Sequence, residues 1–174
     1  MEFKELINKR TCIRKYQNVP VTQEQIQTLL DAAIKAPNAC NFQSWHFYVV
    51  TDKNKIDAFH PDIARIPWIK DISCLIVVTI DDNIRQKLTD RFGDQGNIFV
   101  HQDAAGAVNH ILLAATNMGL GGCWVGPMQT EKCKLHLSMQ DNHTPLAIVT
   151  VGTPAEDTPK RERKPLADVV TFIA

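Results

Sequence analysis

Apolar residues recur at helical spacing in two long stretches of the chain, and four short runs are apolar or alternate as strands do. The first long stretch follows Thr22. Ile26, Leu29, Leu30, Ala33 and Ile34 make one stripe. Thr22 and Gln25 have the spacing of a capping box, and Val21 and Ile26 occupy the hydrophobic-staple positions. Pro37 stops the helix, because proline disfavours helical backbone at the residue before it. The second long stretch runs from about Gln102 to Met118, with Ala104, Ala107, Val108, Ile111, Leu112 and Ala115 on one side and Gly119 as terminator. Shorter helices are predicted over Glu2 to Lys9 (Phe3, Leu6, Ile7), from about Lys53, and from a Thr130 cap to about Ser138. "LIVVTI", Leu75 to Ile80, is continuous and β-branched, the pattern of a central strand. His46 to Thr51, Cys123 to Val125 and Leu146 to Val151 read as further strands. Asp82 to Asn97 is polar and admits two readings, a mobile loop or a surface helix. The chain ends on a Pro-rich polar stretch and the apolar segment "LADVVTFI".

Helices alternating with about four strands predict an α/β or α+β architecture, with one sheet covered on both faces. A chain of 174 residues fits one domain and buries roughly 70% of its unfolded surface without a staple. Composition changes little: 44% hydrophobic and 22% charged are ordinary values. Lys+Arg and Asp+Glu both number 19. That neutrality argues against a general nucleic-acid binder, which needs a broad basic face. No apolar run reaches the roughly 18 residues that span a bilayer. The N-terminus lacks a signal-peptide layout, so the expectation is a cytoplasmic protein. Five cysteines without a C-x-x-C spacing suggest neither disulfides nor a metal site. Cys74 and Cys123 lie in apolar runs and read as core residues.

The charge is uneven, which does change the picture. "KRTCIRKY", Lys9 to Tyr16, and "KRERK", Lys160 to Lys164, hold eight of the 19 basic residues in thirteen positions. Arginine presents a forked donor set matched to phosphate oxygens. Two solvated surface patches are the alternative, and spacing alone does not decide between them. The glycine cluster "GLGGCWVG", Gly119 to Gly126, is not a dinucleotide fingerprint. Trp124 stands where the last glycine should be, and the cluster leaves a helix for a strand rather than the reverse. A helix stop explains Gly119. Glycines around Trp124 also suit close approach to a flat ligand. "PNACNFQSW", Pro37 to Trp45, offers amides that both donate and accept, which suits a heteroaromatic edge or a self-satisfied loop.

Together these segments resemble the FMN-dependent nitroreductase family in its short form. "KRTCIRKY" is similar to the family's opening R-x-S-x-R-x-[FY]. "AAIKAPNACNFQSWHFYVV" resembles its A-P-S-x-x-N-x-Q-P-W segment and following strand. "QDAAGAVNHILLAATNMGLGGCWVG" resembles its central helix and G-L-G-x-x-W-[IV]-G end, and "PKRERKPLADVV" its closing [KR]-x-R-x-P-L-x-x-V-V. The likeness covers nearly the whole chain and is weakest between about Phe59 and Asn97.

The resemblance implies an α+β, three-layer α/β/α fold, a mostly antiparallel central sheet flanked by helices, in an intertwined homodimer. Residues 1–174 would form one FMN-binding domain, with an extension from about residue 155 packing on the partner subunit. Arg10, Thr11, Cys12 and Arg14 would contact the FMN phosphate and ribityl chain, and Arg161 and Arg163 would close on the same phosphate. Pro37, Asn38, Ala39 and Asn41, with Gln43 nearby, would meet the isoalloxazine from the neighbouring subunit. Trp124, Val125 and Gly126 would lie along its covered face. The implied activity is hydride transfer from NAD(P)H through bound FMN to an acceptor such as a nitroaromatic or quinone, by a ping-pong mechanism. No metal and no side-chain acid or base are implied. Reductive dehalogenation or dehydrogenation on the same scaffold, or flavin binding without turnover in a sensor or storage protein, are the alternatives. Cys12 replaces a usual serine, Asn38 another, and Ser44 the proline before Trp45. The sequence shows no separate site for the coenzyme's 2′-phosphate. The stretch Pro61 to Asn97 is expected to shape the substrate entrance.

Overall fold

A computed structural model describes residues 1–173. Its centre is a four-stranded antiparallel sheet in the order β1-β2-β4-β3, formed by β1 (Trp45–Val50), β2 (Cys74–Asp81), β3 (Gly121–Val125) and β4 (His143–Gly152). Antiparallel sheets often leave one face to water; this one does not. Along β2, Cys74, Ile76, Val78 and Ile80 point into one apolar cluster, while Leu75 and Val77 point into another. That two-sided burial is why "LIVVTI" is apolar at every position but Thr79, whose hydroxyl donates to the His46 carbonyl at 3.1 Å.

On the first face lie α2 (Gln23–Ala33) and α5 (Gln95–Asn117), with Ile26, Leu29, Ala104, Val108 and Ile111 in the shared core. Fully buried side chains such as Leu29 and Ile111 contribute about 1.5–3 kcal/mol each. On the second face lie α3 (Lys53–Asp57), α6 (Thr130–His136) and the irregular stretch 58–72, contributing Ile56, Phe59, Ile66, Ile72 and Cys133. The α+β, three-layer expectation holds.

The capping box on α2 is present in both directions: Gln25 N donates to Thr22 Oγ1 at 3.2 Å, and Thr22 N to Gln25 Oε1 at 2.9 Å. Several boundaries differ from the sequence reading. Asp82 to Asn97 resolves mainly into a helix, α4 (Asp82–Phe92), capped by the Asp81 carboxylate accepting from Asn83 N at 2.9 Å and ended at Gly93, φ 63°. The central helix begins at Gln95, seven residues before the expected Gln102, because Gly96 and Val100 carry its buried face back against α4. Thr130 is the first residue of α6 rather than its cap; Gln129 holds the cap position and makes no side-chain cap bond. β4 begins at His143 despite Pro145, because a bulge beside Val78 and Thr79 accommodates the proline. The short helix expected from Phe3, Leu6 and Ile7 is α1 (Phe3–Lys9); it leans on α5 with Leu6 half-buried but leaves Phe3 72% exposed, and Ile34, at the end of the α2 stripe, is exposed too.

Candidate functional site

The two basic segments meet. Past α1 the chain runs extended along the free edge of β3, where Cys12 pairs in parallel with Gly122 and Ile13 N donates to Gly122 O at 3.0 Å. It then pairs antiparallel with the segment leaving β4: Gln17 N donates to Thr153 O at 2.8 Å, and Ala155 N to Lys15 O at 3.0 Å. Tyr16 locks this crossing. It is buried, its hydroxyl donates to the Ile13 carbonyl at 2.6 Å, and it lies 2.9 Å from Thr150 Oγ1. Burial raises the phenol's pKa far above its ordinary value, so it stays neutral and hydrogen-bonded.

This crossing delivers Arg10, Thr11, Cys12 and Arg14 from one end of the chain, and Arg161 and Arg163 from the other, to the walls of one cleft of about 730 Å³. Asn109 and Leu113 of α5 close it from behind. None of the four arginines has a carboxylate partner among the described residues. Arg14 lies over the Trp68 ring, 5.4 Å from its centroid, in a cation–π contact. Lys15 is engaged elsewhere, 2.9 Å from Glu156 in an exposed pair. Cys12 is half-buried against the second-face core that includes Cys123. Burial, and then the neighbouring Cys12, push the Cys123 thiol up to about 11. A thiol suits the half-apolar position of Cys12.

Trp124 and Val125 end β3, and Gly126 follows them, outside the lining of that cleft. Trp124 is 39% exposed, and a Cβ added to Gly126 would meet no atom within 4 Å. The surface beside Gly126 is therefore open. Gly122 differs: an added Cβ would lie 2.8 Å from Leu112 Cδ2 and 3.0 Å from Thr150 O, so packing requires this glycine. Gly119, at φ 76°, ends the helix as expected.

Pro37, Asn38, Ala39, Asn41 and Gln43 do not line the cleft of their own chain. Their loop packs nearer the start of α5. Cys40, Asn41 and Gln43 have φ of 52°, 57° and 53°, a concentration of left-handed backbone that must be held by its surroundings. Asp103 supplies much of the hold. This carboxylate is 4% exposed, accepting from Ala39 N and from Ser44 Oγ, each at 2.9 Å. Burial raises its pKa, while the two hydrogen bonds oppose the rise. Asn38 Oδ1 accepts from Gln43 N at 2.9 Å and closes the loop on itself. Asp103 escaped the sequence reading. Its signal was an acid on the same helical face as Ala107 and Ile111, where a carboxylate needs partners. Ser44, which stands where a proline would be usual, is that partner. No cluster of three or more metal-ligating side chains occurs among the described residues.

The model of the nitroreductase family matches residues 7–79 and 64–153. A protein of Methanothermobacter thermautotrophicus, provisionally named an NADH dehydrogenase/NAD(P)H nitroreductase, is 34% identical over 169 residues, covering 93% of this chain and 82% of its own. The FMN reductase (NADPH) of Bacillus subtilis is 27% identical over 171 residues, covering 92% of this chain and 68% of its own. In structure, a nitroreductase family protein of Streptococcus pneumoniae superposes with a TM-score of 0.89 over 99% of this chain and 100% of its own, at 19% identity, which speaks for the fold. With matched segments spanning most of its length and a relative this similar, the chain belongs to the nitroreductase family and is an oxidoreductase.

Proposed function

We propose that this protein binds FMN and passes hydride from NAD(P)H through it to a small organic acceptor such as a nitroaromatic or quinone. One observation carries the reading: four arginines from opposite ends of the chain line a single cleft, with no carboxylate to neutralise them among the described residues. Such a donor set fits a phosphate, which accepts several charge-assisted hydrogen bonds at once. Arg10, Arg14, Arg161 and Arg163 would hold the phosphate, and Thr11 and Cys12 would adjoin the ribityl chain. The strand end at Trp124 and Val125, with the open side of Gly126, would lie along the ring. Bound FMN would supply the two-electron chemistry; the protein's part is to place the ring and exclude competing contacts.

The Pro37–Gln43 loop lies away from its own cleft. In this reading it completes the site of a second copy, with the exposed Asn41 offering its amide to the ring edge and Asn38, engaged by Gln43 N and the Ala36 carbonyl, shaping the loop. The exposed apolar tail supports such a dimer: Leu166 is 71%, Phe172 91% and Ile173 94% exposed. No helix among the described residues is long and apolar enough to cross a membrane, and we take the site of action to be the cytoplasm. Purification tests the proposal. The expected product is yellow or takes up added FMN, and then oxidises NAD(P)H in the presence of a nitroaromatic or quinone. A colourless protein that ignores added FMN would overturn it.

A further inference from the structure

A second cleft, of about 760 Å³, opens at the other end of β3. One wall is the turn carrying Asp62, Ile63 and Arg65; the other is the exit of β3 and the start of α6, carrying Val125, Met128 and Lys132. The walls are tied together, because Gln129 N donates to the Ile63 carbonyl at 2.7 Å. Arg65 and Lys132 are exposed and have no carboxylate partner among the described residues. Asp62 is the acid in the lining, so the two cations leave the cleft positive. Val125 belongs both to this cleft and to the strand end that would lie along the flavin ring. From Gly122, the β3 partner of the first cleft's Cys12, to Val125 is about 10 Å of strand. A ligand seated here would lie beyond the ring end of the flavin rather than its phosphate end.

We propose that this cleft binds the phosphate-bearing portion of the nicotinamide coenzyme, with Arg65 and Lys132 as its phosphate contacts. The inference rests on the flavin reading above. It supplies what the sequence lacked, a coenzyme-phosphate site separate from the four-arginine cleft. The chemistry recognised is a phosphate on a nucleotide. Its source is either the pyrophosphate, common to NADH and NADPH, or the 2′-phosphate, present on NADPH alone. Pro127, exposed, and Met128, half-buried, give apolar surface to the rest of the dinucleotide.

Steady-state kinetics of Arg65→Ala, Lys132→Ala and the double variant, loaded with FMN, test the proposal. Each residue is exposed, so the fold should survive the change; retained flavin absorbance checks this. Each single variant should raise KM roughly tenfold, the loss of one charge-assisted contact in a partly exposed site. A rise with both coenzymes assigns the pyrophosphate, and a rise with NADPH alone assigns the 2′-phosphate. A truncated dihydronicotinamide without phosphate groups, such as the N-benzyl compound, should be oxidised as fast by the double variant as by the parent. Unchanged KM for both coenzymes, or an equal loss with the truncated donor, would overturn the inference while leaving flavin binding intact. Failure of the parent protein to bind FMN would instead strike the reading on which it rests.

Discussion

Arg10 and Arg163 come from opposite ends of the chain yet line one cleft, and their value depends on being unpaired there. Removing either should cost a charge-assisted contact of about 1.5–3 kcal/mol. Arg10→Ala and Arg163→Ala should therefore each weaken FMN binding roughly tenfold or more in a fluorescence titration; equal affinity in both variants and the parent would break the phosphate assignment. The Lys15–Glu156 pair, exposed at both ends, makes a control, since such pairs contribute little. Asp103 allows a test by pH. Burial raises its pKa in the folded chain above the ordinary carboxylate value, so the fold holds this proton more tightly than the unfolded chain does. Its contribution is fully present below about pH 4 and is lost as pH rises through the raised value. Compared with Asp103→Asn, which cannot titrate, the parent should lose relative stability between pH 4 and pH 7. Urea midpoints that differ by the same amount at both pH values would exclude this role. Arg10 and Arg163 were legible as phosphate-type residues because arginine chemistry is visible in the one-letter code. Asp103 was not, because its partners Ala39 and Ser44 are brought to it only by folding.

Elements were read well where a local rule governs them. The α2 start follows from Thr22 and Gln25, which find one another within a single turn. β2 follows from a run of apolar residues that no exposed element could carry. Helix α4 was only half legible, since its face carries a single fully buried side chain, Leu88, and its packing is against α5. The glycines after α5 needed the fold to sort them. Gly122→Ala places a methyl against Leu112 and the Thr150 carbonyl and should destabilise by about 1–3 kcal/mol. Gly126→Ala meets nothing within the chain, so its thermal stability should be unchanged. If the flavin ring lies against that side, Gly126→Ala should instead lower FMN affinity. Equal effects of the two substitutions on stability would refute the distinction.

The C-terminal segment from Arg161 to Ile173 is exposed throughout, and Leu166, Val169, Phe172 and Ile173 are each more than half exposed in the single chain. With Phe3 72% and Ile7 47% exposed on α1, the molecule presents apolar surface at both ends of its sequence. If a second copy covers the tail, Leu166→Asp combined with Phe172→Asp should shift the protein to monomer in sedimentation, and flavin retention should fall although all four arginines remain. A dimer that persists with both aspartates present would remove the tail from the interface. The sequence by itself determined the layered class, the main helices and strands, the family motifs and the two arginine clusters. Those depend on periodicity, turn chemistry and residue type, which are local properties. Tertiary structure decided that the arginine clusters share one cleft, that Asp103 and Ser44 brace the left-handed loop, and that Arg65 and Lys132 face a separate cleft. These are meetings between distant segments, brought about by strand pairing at the Tyr16 crossing and by packing on both faces of the sheet, and nothing in local sequence encodes the distance between them.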